Sequence, residues 1–232
     1  MFETISWLSL ALAFLCAAVI AVDVMRHPQK MGIMNIVWPV SGLYGSVFVL
    51  WAYFRLGRKK AKDFRMPMSE EQHKKMMQEA KEHPKPSQIS VAASHCGAGC
   101  MIGDIGADFL VFGLALKLWG SDLWASFVID YAFAWVLGVI FQYFTIAPMR
   151  GLSLFPGIWA AIKADTLSIT AWQVGMYGFM ALTYFVLFPN PHLHPNQPQY
   201  WFMMQFAMVA GFLTAYPMNY MLVNVGLKEA MA

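Results

Sequence analysis

The feature that most constrains this chain is a series of long apolar runs with almost no charge inside them. Ile33–Phe54 contains no Asp, Glu, Lys or Arg at all, and Ile5–Met25 contains only Asp23. A helix of about 20 apolar residues crosses a hydrocarbon core of about 30 Å. Six stretches meet that test: Ile5–Met25, Ile33–Phe54, Ile89–Leu118, Leu123–Ala147, Leu167–Phe188 and Tyr200–Val225. Only 12% of the 232 residues are charged and 59% are apolar or aromatic, whereas a soluble domain carries about 25% charge. A soluble globule and a disordered tail are excluded. The expected fold is an all-α polytopic transmembrane helix bundle with about six spans. The first run lacks the basic start and small-residue cleavage site of a signal peptide, so it reads as a retained helix.

Ten of the sixteen Lys and Arg residues lie between Arg55 and Lys85. Basic residues resist translocation and collect in cytoplasmic loops. The chain therefore divides into residues 1–54 with two spans, a basic cytoplasmic loop over 55–88, and residues 89–232 with four more. With six spans, both termini are expected in the cytoplasm of a bacterial inner membrane. Arg26 and Lys30 then fall on the outer side, against the trend. The expected partners are the bilayer, anionic lipid or a cytoplasmic protein at 55–85, and a second copy of the chain. Nucleic acid is not expected, because the basic residues have almost no aromatic interleaving. Gly151–Asp165 is too short to span and carries Pro156 and Gly157, which suggests a re-entrant or interfacial helix.

The most informative stretch is Ser94–Asp108, SHCGAGCMIGDIGAD. Cys96, Cys100, Asp104 and Asp108 recur every four residues, which places them on one slowly winding helix face. Glycines at 97, 99, 103 and 106 leave room for a close neighbour. At 1.5 Å per residue, Asp108 lies about 13–14 Å inward from Lys117, near the midplane. Ionisable groups there cost at least about 2.5–3.5 kcal/mol and mark function. The short turn at Trp119–Asp122 makes a hairpin of the third and fourth spans. That hairpin brings Asp130 opposite Asp108, and Gln142 opposite Cys96.

His95, Cys96 and Cys100 have the ligand chemistry of a soft-metal site. Thiolate and imidazole suit copper(I) or zinc, and an i, i+4 thiol pair can clasp one ion. Asp104, Asp108 and Asp130 read as a cation or proton path. The leading expectation is a protein that binds and translocates or handles a soft metal, copper(I) first. Two other classes stay open: a membrane thiol-redox or cofactor-binding enzyme, and a non-catalytic accessory subunit of a membrane complex. No phosphate-binding loop or nucleotide site is present, so primary active transport by this chain alone is not expected.

Five motifs carry a resemblance: NIVWPVSGLYG (35–45), SHCGAGCMIGD (94–104), FQYFTIAPMRG (141–151), IKADTLSITAWQVGMYGFM (162–180) and MMQFAMVAGFLTAYPMNYMLVNVGLKEAM (203–231). Together they resemble a family of bacterial multi-pass membrane proteins known as domain of unknown function 4396. The resemblance implies a fold and a compartment rather than a reaction. It adds Gln142, Lys163, Asp165 and Asn219 to His95, Cys96, Cys100 and Asp104 as positions of the family pattern.

Overall fold

A computed structural model describes residues 1–63 and 84–228. Six α-helices make up the fold: α1 (Phe2–Arg26), α2 (Met34–Ala52), α3 (Pro86–Gly113), α4 (Asp122–Arg150), α5 (Leu154–Leu182) and α6 (Pro198–Asn224). A π turn, Tyr53–Gly57, and a 3-10 turn, Arg58–Lys60, extend α2, and a π turn, Thr183–Leu187, extends α5. The described residues contain no strand, only two isolated bridges. Five helical stretches (α1, Met34–Lys60, α3, α4 and α6) are long and apolar enough to cross a membrane. Large apolar side chains such as Trp7, Phe14, Phe48 and Phe155 also cover the exterior. Such a surface suits lipid rather than water.

Helices α3, α4, α5 and α6 pack in a ring, each on the next, and α1 and α2 lean against the side formed by α3 and α6. Glycine sets the α3–α4 seam. A Cβ added at Gly103 would lie 2.8 Å from the Ala134 nitrogen, and one at Gly99 would lie 3.2 Å from the Gly138 nitrogen. Only residues without side-chain bulk allow backbones this close. The same register puts Asp130 level with Ala107, beside Asp108, as the short turn predicts.

Three expectations need correction. The run Ile33–Phe54 does not form a straight span, because the backbone of α2 breaks at Ser46 (φ 44°, ψ −124°) and doubles back. The Trp38 and Tyr53 rings meet at 5.6 Å, although fifteen residues of straight helix would hold them about 22 Å apart. Lower down, the Lys30 N–H donates to the Lys60 carbonyl at 3.1 Å, closing the base of the hairpin. Residues 34–60 are thus a re-entrant helical hairpin with its tip at Ser46. The tip is held inside the bundle, where Gln205 Nε2 donates to the Leu43 carbonyl and Tyr44 meets Trp172 edge-on.

Second, Gly151–Asp165 is not a separate short helix. It contains the start of α5, which runs on without interruption. Pro156 falls in the first turn, where a missing N–H breaks no intrahelical bond.

The third correction concerns sidedness. The Phe2 ring stacks on Phe188 and meets Phe202, so α1 begins where α5 finishes and α6 starts. Its other end joins the base of the hairpin: Arg58 Nε lies 3.1 Å from Asp23, and His27 Nδ1 lies 2.7 Å from Asp63. Arg150, the last residue of α4, donates to the Gly226 carbonyl just beyond α6 at 3.4 Å. The start of α1 and the end of α6 therefore lie at opposite ends of the bundle. Arg26 and Lys30 share the end of Arg58 and Lys62 rather than opposing it. Among the described Lys and Arg residues, Lys117 alone sits at the other end.

Candidate functional site

The α3 stripe points into the ring as its spacing predicts, and nearly every polar residue on it is enclosed. Near the basic end, the Cys96 thiol donates to Asp165 Oδ1 at 3.0 Å and lies 2.9 Å from Ser168 Oγ. Asn219 Nδ2 donates to the same Ser168 oxygen at 2.7 Å. Lys228 Nζ donates to Asp165 at 2.9 Å, to Cys96 at 3.1 Å and to Ser168 at 3.3 Å. Since Ser168 Oγ accepts from both Asn219 and Lys228, its own proton is directed to the Cys96 sulfur. All five side chains are buried.

Burial strips the Lys228 ammonium of its hydration, and the Asp165 carboxylate with the Cys96 and Ser168 acceptors takes the place of that water. Removing one member of a buried ion pair of this kind costs about 3–5 kcal/mol.

His95 turns elsewhere. Its Nδ1 lies 3.5 Å from Thr145 Oγ1 on α4, and its buried Nε2 has no partner. Neighbours on a helix diverge by about 100°, so His95 and Cys96 address different walls. Among the described residues no group of three or more His, Cys, Asp or Glu side chains is gathered to hold a metal ion. Cys100, one turn above Cys96, is a free thiol in a core cluster that also contains Cys96, Met101, Met176, Met180, Met204 and Met208. Seven sulfur-bearing side chains from α3, α5 and α6 thus belong to one buried cluster.

Beyond the two cysteines along α3 come the carboxylates. Asp104 and Asp108 are fully enclosed, and Asp130 is 2% exposed. Neither oxygen of Asp104 or Asp108, nor Oδ1 of Asp130, accepts an ordinary hydrogen bond. The Gln173 amide stands beside Asp104, and the Tyr200 and Ser126 hydroxyls beside Asp108, without closing one. Gln142 is buried with both amide atoms unpartnered. Buried polar groups are normally satisfied, so this column of orphaned atoms sets the interior apart from a packing core.

The structure therefore brings Cys96, Asp165 and Asn219 into one cluster, and Asp104, Asp108 and Asp130 into another. Lys163 belongs to neither, because its ammonium is turned outward over the Trp159 ring at 5.1 Å. Two members of the lower cluster were not expected as site residues. Ser168 sits one turn from Asp165 on α5, a spacing visible in the sequence. Lys228 reads in the sequence as one more interfacial charge, and only the fold turns it inward.

These features define an all-α helix bundle of membrane-crossing proportions with a polar, sulfur-bearing interior. The chain belongs to the family described as a domain of unknown function (DUF4396), which matches over residues 87–228. The match takes in α3–α6 and Lys228, leaving α1 and the hairpin, with its NIVWPVSGLYG stretch, outside. No curated protein and no solved structure matches the chain.

Proposed function

We propose that the protein carries a soft monovalent cation, copper(I) first, across the bacterial cytoplasmic membrane, with its basic end in the cytoplasm. The observation that carries this reading is one buried core cluster holding two thiols and five methionine thioethers, in the same interior as a column of unsatisfied carboxylates. Thiolate and thioether ligands select copper(I) over harder ions. Asp104, Asp108 and Asp130 are placed to accept and release protons that balance the moving charge. Here the metal is cargo, and Cys100 with its methionine neighbours forms its route. The orientation follows from the distribution of Lys and Arg between the two ends.

The test is a titration of purified protein with copper(I) against a chromogenic chelator under reducing conditions, followed by uptake into proteoliposomes. Cys96→Ser with Cys100→Ser removes tight binding. Asp104→Asn leaves binding in place and slows uptake about 10–100-fold, the scale seen when a group supporting a metal is lost. Copper content and cellular copper tolerance that do not change in the double cysteine variant would sink the reading. Zinc bound in preference to copper(I) would replace the cargo.

A further inference from the structure

Lys228 is the most unusual side chain in the molecule: a primary ammonium enclosed in the bundle, with each of its three donors spent. Its acceptors are a carboxylate, a sulfur and a hydroxyl, from Asp165, Cys96 and Ser168, at 2.9–3.3 Å. They come from two helices, α3 and α5, while the lysine arrives from the segment after a third. The cage is therefore built independently of its occupant. It also holds spare acceptor capacity, because Asn219 Oδ1 is buried beside Ser168 with no partner.

The lysine rests on a short lever. After α6 the chain turns at Gly226 in the left-handed region (φ 73°), and the Leu227 and Lys228 N–H groups both donate to the Leu222 carbonyl. Rearranging this one turn would withdraw the ammonium without moving a helix.

We propose that Cys96, Asp165, Ser168 and Asn219 form a binding site for a monovalent cation, and that Lys228 is a tethered cation occupying it. Seated, Lys228 neutralises Asp165 and closes the basic end of the interior. Withdrawn, it leaves a site of one negative charge with soft and hard donors together, just below Cys100. A free cation and Lys228 exclude one another, so the lysine gates entry by competition. That copper(I) is the free cation rests on the function proposed above; the site itself does not.

The experiment uses the full chain in detergent. Lys228→Met removes the ammonium from the cage while keeping an unbranched apolar stem. Methylammonium, which carries three N–H donors, then raises the melting temperature of this variant and leaves the wild type unmoved. Tetramethylammonium, with the same charge and no donor, shifts neither protein. Adding Asp165→Asn to Lys228→Met abolishes the methylammonium response. Equal responses to the two amines, or a response that survives Asp165→Asn, would overturn the proposal.

Copper(I) is the second probe. If the lysine is seated at least nine-tenths of the time, its removal tightens copper(I) binding about tenfold or more. A methylammonium response with unaltered copper(I) affinity keeps the cation site and refutes copper(I) as its occupant. If Lys228→Met does not fold, the wild type decides. Copper(I) saturation should expose Lys228 to amine acylation, read by mass spectrometry. Binding that leaves it unreactive would overturn the competition.

Discussion

Ser46 shows how much can turn on one residue. Its φ of 44° with ψ of −124° is the geometry of the first central position of a type II′ turn, which ordinarily belongs to glycine. A side chain there stores about 1–3 kcal/mol of backbone strain. Ser46→Gly should therefore raise the thermal stability of the purified protein, and Ser46→Val should lower it, both read as shifts of the melting temperature. A drop for the glycine variant would mean that the doubled-back geometry is wrong. Asp63 makes a second residue-scale case. A small burial cost is outweighed by the His27 hydrogen bond and the Arg58 charge, so its carboxyl sits below the ordinary carboxylate range. A depressed carboxylate stabilises above its unfolded value of about 3.9 and loses that effect as pH falls through its folded value. The base of the hairpin should thus loosen as pH falls below about 4. Hydrogen exchange at the Lys30 and Lys62 amides, which donate to the Lys60 and Pro28 carbonyls, reports it, and Asp63→Asn should weaken the pH dependence.

At the scale of elements, the α3–α4 seam and the hairpin differ in how far the sequence reveals them. A short turn at Trp119–Asp122 and small residues along one face of α3 are local signals, and the seam is legible from them. The contrast between Gly103 and Gly106 is not, because both sit in the same motif. Gly103 faces the Ala134 backbone at 2.8 Å, while nothing lies within 4 Å of a Cβ at Gly106. Gly103→Leu should cost about 1–3 kcal/mol by overpacking. Gly106→Ala should be neutral or gain up to about 1 kcal/mol from helix propensity. Thermal melts of the two variants check this, and equal losses would refute the seam. The hairpin is hidden for a physical reason. Hydropathy registers only that Ile33–Phe54 avoids water, a property shared by a crossing helix and by two half-helices buried against α1 and α6. No proline marks the reversal, since Pro39 lies within the first arm and is accommodated there. Lys228 is concealed similarly, because a charge after a helix reads as solvated until the fold encloses it.

For the whole molecule, doubling α2 changes the parity of the chain. With α1, α3, α4, α5 and α6 each running along the bundle, the start of α1 and the end of α6 fall at its opposite ends. The basic residues then sort almost completely to one of them, and the exceptions at Arg26 and Lys30 disappear. Single cysteines at Thr4 and Lys62, both exposed, give the measurement in a background where the native cysteines are buried. With an impermeant maleimide on intact cells, Thr4→Cys should label at once and Lys62→Cys only after permeabilisation. Labelling of both together would restore an even number of crossings.

The hairpin also has a mechanical consequence. An element that enters and leaves by the same face threads nothing, so it is the one part of the bundle that can slide along the bundle axis without unthreading a crossing. Its tip is fastened by the Gln205 amide on the Leu43 carbonyl, the Tyr44–Trp172 ring contact and the packing of Val40 and Leu43 on the buried core. Trp172 belongs to the same buried cluster as Cys96 and Cys100. A displacement of this piston would therefore be felt first at the sulfurs.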